Sequence, residues 1–279
     1  MRNLLSAGFA RLWRCKVFWL SSLFVAATTL MSIWARYTDD HQYDYLSSLD
    51  SAFLSYVFFI AIFIPVVCAL IIGVEHADGT IRNKIICGHT KAAVYLSNLI
   101  LTSAASLLMC TAAVVPGLCV GLPLLGKFDM GLPTAIMFFL AVYALSLAWS
   151  ALFTLLAMLV SSRTISAVAA LLLSLALLAT GTYLNRRLEA RPTIPGYILS
   201  SSGEIVEAEE YPNSAYLPEG PVRSTFQFLC DFTPGGQTVQ HIDLPANQPK
   251  LELFMAYDAV LFTLATGLGL VLFKRKDLK

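Results

Sequence analysis

Residues 52–74, AFLSYVFFIAIFIPVVCALIIGV, form the most apolar uninterrupted segment of this chain. The segment contains no charged residue and is longer than the roughly 20 residues with which an α-helix crosses the hydrocarbon core of a membrane. A surface helix of a soluble domain carries a charged or polar face, which this segment lacks. It therefore predicts a membrane-spanning helix.

The rest of the chain has the same character. Hydrophobic residues make up 57% of it and charged residues 13%, whereas soluble domains are about 45–50% apolar and about 25% charged. We therefore expect an all-α integral membrane protein with six transmembrane helices. The predicted spans are residues 17–35, 52–74, 94–122, 133–160, 165–184 and 254–273.

Prolines predict irregularities in these helices. Pro116 and Pro123, with Gly117 and Gly121 between them, predict a kink or break near the end of the third span. Pro65 predicts a bend in the second span. Only residues 161–164 separate the fourth span from the fifth, which predicts an antiparallel hairpin.

The distribution of Lys and Arg predicts that both termini lie in the cytoplasm. In this orientation the two short outer loops carry only Arg36 and Lys127, and the inner segments carry most of the remaining basic residues near span ends. The inner residues are Arg2, Arg11, Arg14, Lys16, Arg82, Lys84, Lys91, Arg163, Lys274, Arg275, Lys276 and Lys279.

Two segments outside the spans have predicted structure of their own. Residues 1–16 place Leu5, Phe9, Leu12 and Trp13 on one helical face, which is typical of an amphipathic helix in the membrane interface. The alternative is an unstructured basic flank. Residues 274–279 form a basic cytoplasmic tail.

Residues 185–253 are expected outside the cell. Their prolines exclude one long helix, so we expect a small irregular cap with short helices, one of them at residues 224–231. Four glutamates in this segment could attract a cationic peptide or form a solvated face. They are Glu204, Glu207, Glu209 and Glu210.

Motifs for chemistry are absent from the sequence. The six cysteines and four histidines show no metal-ligand spacing, and no disulfide framework is expected. Residues 121–127, GLPLLGK, have the spacing of a phosphate-binding loop, but Phe128 replaces the required Ser or Thr. We interpret this stretch as an outer loop, and expect no cofactor on this chain.

The segment between spans two and three is the most informative inner loop. Asp78 or Thr80 can cap a helix, and Gly88 suits the left-handed residue after its end. The pattern predicts a helix of about two turns near residues 79–87. Ile81 and Ile85 share one face of it, which can bury against a partner or the membrane.

This loop resembles a known family. Glu75 followed by residues 78–84, DGTIRNK, is similar to the E-x-x-x-G-T-[IL]-[RK]-N-[KL] segment of type-2 ABC transporter permeases. Residues 272–279, LFKRKDLK, resemble the basic tail of the same family. Residues 231–237, DFTPGGQ, resemble its D-x-x-P-x-G-Q pattern before the last span, although the preceding Pro212 and Asn213 stand in reversed order.

The resemblance implies a permease subunit of a bacterial exporter in the plasma membrane. Its implied partners are cytoplasmic ABC ATPase subunits, a second permease copy or a related permease, and membrane lipid, with no nucleic acid. ATP and magnesium would bind the partner ATPase. In this family the inner loop forms a coupling helix that docks into the ATPase, a role implied here for Glu75, Gly79, Thr80, Ile81, Arg82, Asn83 and Lys84.

The side chains of the spans favour one class of cargo and leave two alternative functions open. Spans three to six lack fixed charge apart from Asp258 near the outer interface, which favours a hydrophobic or amphipathic cargo such as an antimicrobial peptide, drug or lipid. One alternative is an intramembrane enzyme that uses Asp258, Ser174 or Asn98. The other is a membrane scaffold or immunity protein without transport.

Overall fold

Helices dominate the structure, a computed structural model that describes residues 1–43, 49–199, 205–242 and 250–276. Within these ranges six helices are long and apolar enough to cross a membrane, so the predicted number of spans is confirmed and the protein is membrane-embedded. The helices are α1 Arg2–Arg14, α2 Lys16–Tyr43, α3 Leu49–Ala77, α4 Thr80–Ile86, α5 Lys91–Leu125, α6 Leu132–Leu159, α7 Arg163–Glu189, α8 Pro221–Phe232, α9 Pro234–Ile242 and α10 Leu251–Arg275.

The long helices form a bundle around α3. This helix packs against α2, α5, α6 and α7, while α10 lies on the other side of α6 and also contacts α5. Buried side chains of α3 include Tyr56 and Ile64, and the stacked rings of Trp149 and Phe153 contribute to the same core from α6. The most apolar predicted segment is therefore the centre of the bundle.

Helix α5 does not break at its prolines. It continues past Pro116 and Pro123 to Leu125, so the predicted break is wrong, as is the loop predicted for residues 121–125. Small residues here serve packing instead, because a Cβ on Gly121 would lie 2.6 Å from Leu49 and 3.2 Å from Ile33. Helix α3 is likewise continuous through Pro65.

Hydroxyl pairs join α5 to α6 inside the bundle. Thr102 and Thr154 lie 2.7 Å apart, and Ser103 and Ser150 lie 3.2 Å apart. Hydrogen bonds of this kind between membrane helices contribute about 0.6 kcal/mol each on average. Thr102 and Ser150 also donate to carbonyls of their own helices, so these pairs add contacts between α5 and α6 that help to fix the register of the two helices.

Helix α1 packs on the bundle through a different face from the predicted one. Residues 2–14 are helical, so the alternative of an unstructured flank is wrong. Its buried residues are Leu4, Gly8 and Leu12, whereas Trp13 is 53% exposed. The face is rotated from the predicted stripe because Gly8 allows close approach to Leu101 of α5, which lies 3.3 Å from the position of an added Cβ.

The segment after α7 contains a feature that the all-α prediction omitted. Strands β1 Thr193–Leu199 and β2 Ile205–Pro212 form an antiparallel hairpin with an irregularity between Ile194 and Gly196. Glu209 and Glu210 lie exposed on β2, while residue 204 lies outside the described ranges. The predicted helix at residues 224–231 is confirmed as part of α8.

Helix α9 is a second short helix in the segment predicted to form a cap with short helices, but it is buried in the bundle. It packs against α7, α3 and α6, and its side chains are largely buried. Gly235 lies so close to the carbonyl of Leu177 that a side chain there would overlap it, and Gly236 is equally close to the carbonyl of Cys230. Because Leu177 is near the middle of α7, the α8–α9 pair descends into the bundle beside that helix.

Candidate functional site

Several helix ends meet at the end of the bundle that carries α4, here called the α4 end. Arg11 near the end of α1 contacts Glu75 near the end of α3, and a Cβ on Gly73 would lie 3.0 Å from Arg163 at the start of α7. Lys276, directly after α10, donates to the carbonyl of Met158 near the end of α6 at 3.0 Å. The ends of α1, α3, α6 and α10 and the start of α7 therefore lie in contact with one another at this end of the bundle.

The sequence predicted α4 itself correctly, but not its N-terminal capping. The residue before the helix is Gly79 with φ of 64°, and no side chain accepts a hydrogen bond there. The Thr80 hydroxyl instead donates to the carbonyl of Glu75 at 3.0 Å, and Asp78 is exposed. A residue in the left-handed region favours glycine, which explains why Gly79 occupies this turn.

The C-terminal end of α4 matches the prediction. Gly88 has φ of 90°, and its backbone N–H donates to the carbonyl of Ile85 at 3.0 Å. The next N–H, from His89, donates to the carbonyl of Lys84 at 3.1 Å. This pair of bonds is the Schellman arrangement, which satisfies the last carbonyls of a helix. Helix α4 is therefore a short element with a defined end.

Glu75 is the buried centre of the α4 end. Its side chain is fully buried and accepts hydrogen bonds from Arg11 of α1, from Lys84 of α4 at 2.6 Å and from Asn98 of α5 at 3.0 Å. Removing one partner of a buried ion pair leaves a charge without compensation and is strongly destabilising. Glu75 therefore holds α1, α4 and α5 to the end of α3.

The charges of this cluster depend on one another. Burial, followed by the positive charge of Arg11, lowers the pKa of Lys84 to about 8. The Glu75 carboxylate opposes this shift because it stabilises the ammonium ion. Burial also lowers the pKa of Arg11, while the Asp78 carboxylate acts in the opposite direction. Burial thus disfavours the charged form of both side chains, and the nearby acidic groups favour it.

The predicted site residues divide into an inner and an outer group. Ile81 is buried in a cluster with Ile72 and Phe273, and Lys84 faces Glu75. Arg82 and Asn83 are exposed on the opposite side. Ile86, which the sequence analysis did not select, is 72% exposed beside them. Arg82, Asn83 and Ile86 are here called the outer face of α4.

Ile86 could have been found from the sequence. It lies four residues after Arg82 and three after Asn83, so helical periodicity puts all three on one face. By contrast, nothing in the local sequence pattern pairs Glu75 with Arg11 or Asn98, which lie 64 and 23 residues away in the chain. Those contacts depend on how the helices pack.

A second buried polar group lies away from the α4 end. Asp258 of α10 is 1% exposed, and neither of its carboxylate oxygens has a hydrogen-bond partner within the described residues. The side chain of Gln237 of α9 interacts with it. The sequence predicted Asp258 near an interface. In the structure it is buried, because α10 packs against α6 and α9 descends into the bundle.

The residues considered for intramembrane catalysis have separate partners. Ser174 donates to the carbonyl of Leu171 in its own helix, at 2.9 Å, while Asn98 binds Glu75. Among the described residues no group of three histidine, cysteine or acidic side chains could hold a metal ion. The six cysteines are all free thiols.

Neither a protein-family model nor a curated protein matches this chain. The resemblance to type-2 ABC transporter permeases therefore stays a prediction that rests on the motifs quoted above.

Proposed function

We propose that this protein is the membrane-spanning permease subunit of an ATP-driven ABC exporter in the bacterial plasma membrane. In this proposal both termini lie in the cytoplasm, and the α4 end meets a separate ATPase subunit. The observation that carries the proposal is the form of α4: a short helix with a buried ionic anchor and an exposed outer face.

The anchor explains how α4 could transmit force. A rigid contact is needed if closure of an ATPase is to change the packing of membrane helices. Helix α4 lies between α3 and α5 in the chain, and Glu75 and Asn98 join these two helices beneath it. A displacement of the outer face would therefore be transmitted to α1, α3 and α5 through the buried cluster around Glu75.

The outer face has a composition suited to a protein partner. Arg82 and Asn83 offer hydrogen-bond donors. The exposed Ile86, at the end of the helix, offers an apolar contact surface. Arginine flanked by an apolar anchor is typical of residues that dominate binding energy in interfaces. Lys84, in contrast, has its charge satisfied internally and is not proposed as a docking residue.

The proposal assigns ATP and magnesium to the partner subunit and the translocation path to a dimer of permeases. The cargo is proposed to be hydrophobic or amphipathic, such as an antimicrobial peptide, drug or lipid. Apolar side chains on α10, including Leu264 and Leu268, are more than half exposed and would face lipid or the second permease.

Copurification of an ATPase tests this function. The wild-type protein, isolated from its native membrane in mild detergent, should retain an ATPase whose activity depends on the complex. Arg82→Glu should lose both the ATPase and the stimulated hydrolysis. Lys127→Glu is the matched control, since Lys127 is an exposed cation in the turn between α5 and α6.

Two results would overturn the proposal. The first is wild-type protein that carries no ATPase although it remains folded. The second is Arg82→Glu protein that retains the ATPase as fully as Lys127→Glu does. A scaffold or immunity protein would give the first result.

A further inference from the structure

Two tryptophans meet at the corner between α1 and α2. The rings of Trp13 and Trp19 have centroids 5.4 Å apart, and the indole N–H of Trp19 donates to the carbonyl of Trp13 at 2.9 Å. Their exposed fractions are 53% and 48%. The corner thus has a fixed shape while both rings remain open to the surroundings.

Two cations flank these rings. Arg14 and Lys16 are exposed, and neither forms an ion pair with any residue in the part of the chain that the structure describes. Together with both tryptophans and with Leu20 and Leu23 they line a shallow, open depression of about 460 Å³. The depression therefore combines unpaired positive charge with an apolar wall.

The order of these residues follows the profile of a membrane surface. Lys16 begins the span of α2. Since a helix rises about 1.5 Å per residue, Leu20 lies about 6 Å and Leu23 about 10 Å further into the membrane. Tryptophans favour the boundary between headgroups and acyl chains, and basic residues favour the headgroup level. Each side chain is at the depth that suits its chemistry.

We propose that this corner is a binding site for an anionic phospholipid. Arg14 and Lys16 bind the phosphate, Trp13 and Trp19 contact the glycerol region, and an acyl chain packs along Leu20 and Leu23. A soluble phosphate would leave the two leucines without a role. A zwitterionic lipid carries a cation in its own headgroup, which Arg14 and Lys16 would repel, whereas the phosphate of an anionic lipid has no such cation beside it. The proposal requires only that the protein is membrane-embedded and is independent of the proposed transport function.

Quenching of tryptophan fluorescence by brominated lipids tests the site. Protein in mixed bilayers of phosphatidylglycerol and phosphatidylcholine is measured twice, with bromine on one lipid and then on the other. Because two basic residues together contribute about 2 kcal/mol to binding of an anionic surface, we expect a roughly thirtyfold preference for phosphatidylglycerol. Inorganic phosphate should not displace the lipid.

Two variants separate site binding from general charge effects. Arg14→Gln with Lys16→Gln should abolish the preference. Arg36→Gln with Arg186→Gln removes the same charge from other exposed or half-exposed positions and should keep it. Equal quenching by the two lipids in wild-type protein overturns the proposal even if a variant fails to fold. Displacement by inorganic phosphate, or an unchanged preference in the Arg14 and Lys16 variant, also overturns it.

Discussion

Replacing Glu75 by glutamine should release α4 from the bundle while leaving the shape of the side chain nearly unchanged. The substitution removes the buried negative charge that faces Arg11 and Lys84. Loss of one partner of a buried ion pair costs about 3–5 kcal/mol. The Arg11 side chain is 38% exposed and can turn to water, and a glutamine oxygen can still accept from Asn98.

We therefore expect a local loss of about 2 kcal/mol, which corresponds to roughly thirtyfold faster hydrogen exchange of the α4 amides. Hydrogen exchange with mass spectrometry on peptides that cover α4 measures this change. Asp78→Asn is the control, because Asp78 is an exposed acid in the same turn. Adding Lys84→Met to Glu75→Gln should restore part of the protection, since it removes the uncompensated cation.

Two outcomes would refute this reasoning. If Glu75→Gln exchanges at the wild-type rate, or no faster than Asp78→Asn, the carboxylate does not hold α4. If Lys84→Met gives no recovery in the Glu75→Gln background, the two charges are not energetically coupled.

Two other predictions concern packing and thiol accessibility. Gly269→Ala should lower thermal stability in detergent by about 1–3 kcal/mol, because its Cβ would overlap the Tyr95 hydroxyl. Gly267→Ala, with no neighbour within 4 Å, should cause little loss, and equal losses would contradict the packing argument. Burial, with the Asp231 charge adding to it, raises the pKa of Cys230 to about 12, so this thiol stays protonated at pH 7–9. Maleimide should therefore label the exposed Cys87 in that pH range and reach Cys230 only after unfolding. Peptide mass spectrometry measures the labelling of each thiol. Labelling of Cys230 in the folded protein would contradict its burial.

Length and hydropathy were sufficient to predict the six long helices, because a membrane span needs no particular partner to form. The short helix α4 was also predictable, since Gly88 and the two isoleucines act locally. Neither proposed N-terminal cap formed, because Gly79 precedes the helix and the Thr80 hydroxyl donates to the backbone carbonyl of Glu75. Competition of this kind depends on the exact path of the turn, which composition does not specify.

Packing between distant segments could not be predicted from one sequence. The position of α8 and α9 beside α7 depends on two backbone contacts. Gly235 contacts backbone far away in the chain, and Gly236 contacts backbone of the preceding helix. Prolines and polar residues in this segment indicated only an irregular cap. The three partners of Glu75 could not be predicted for the same reason. Lys84 was therefore included among the docking residues, although its ammonium group pairs with Glu75 inside the bundle.

In the proposed function the outer face of α4 contacts an ATPase, and photo-crosslinking at residue 86 detects this contact. Ile86 and Leu132 are 72% and 67% exposed, so a photoreactive phenylalanine at either position disturbs the core little. This contact predicts that position 86, irradiated in native membranes, crosslinks to a protein with a phosphate-binding loop, and that position 132 does not. Absence of such a product at position 86, or equal yield at both positions, would contradict it.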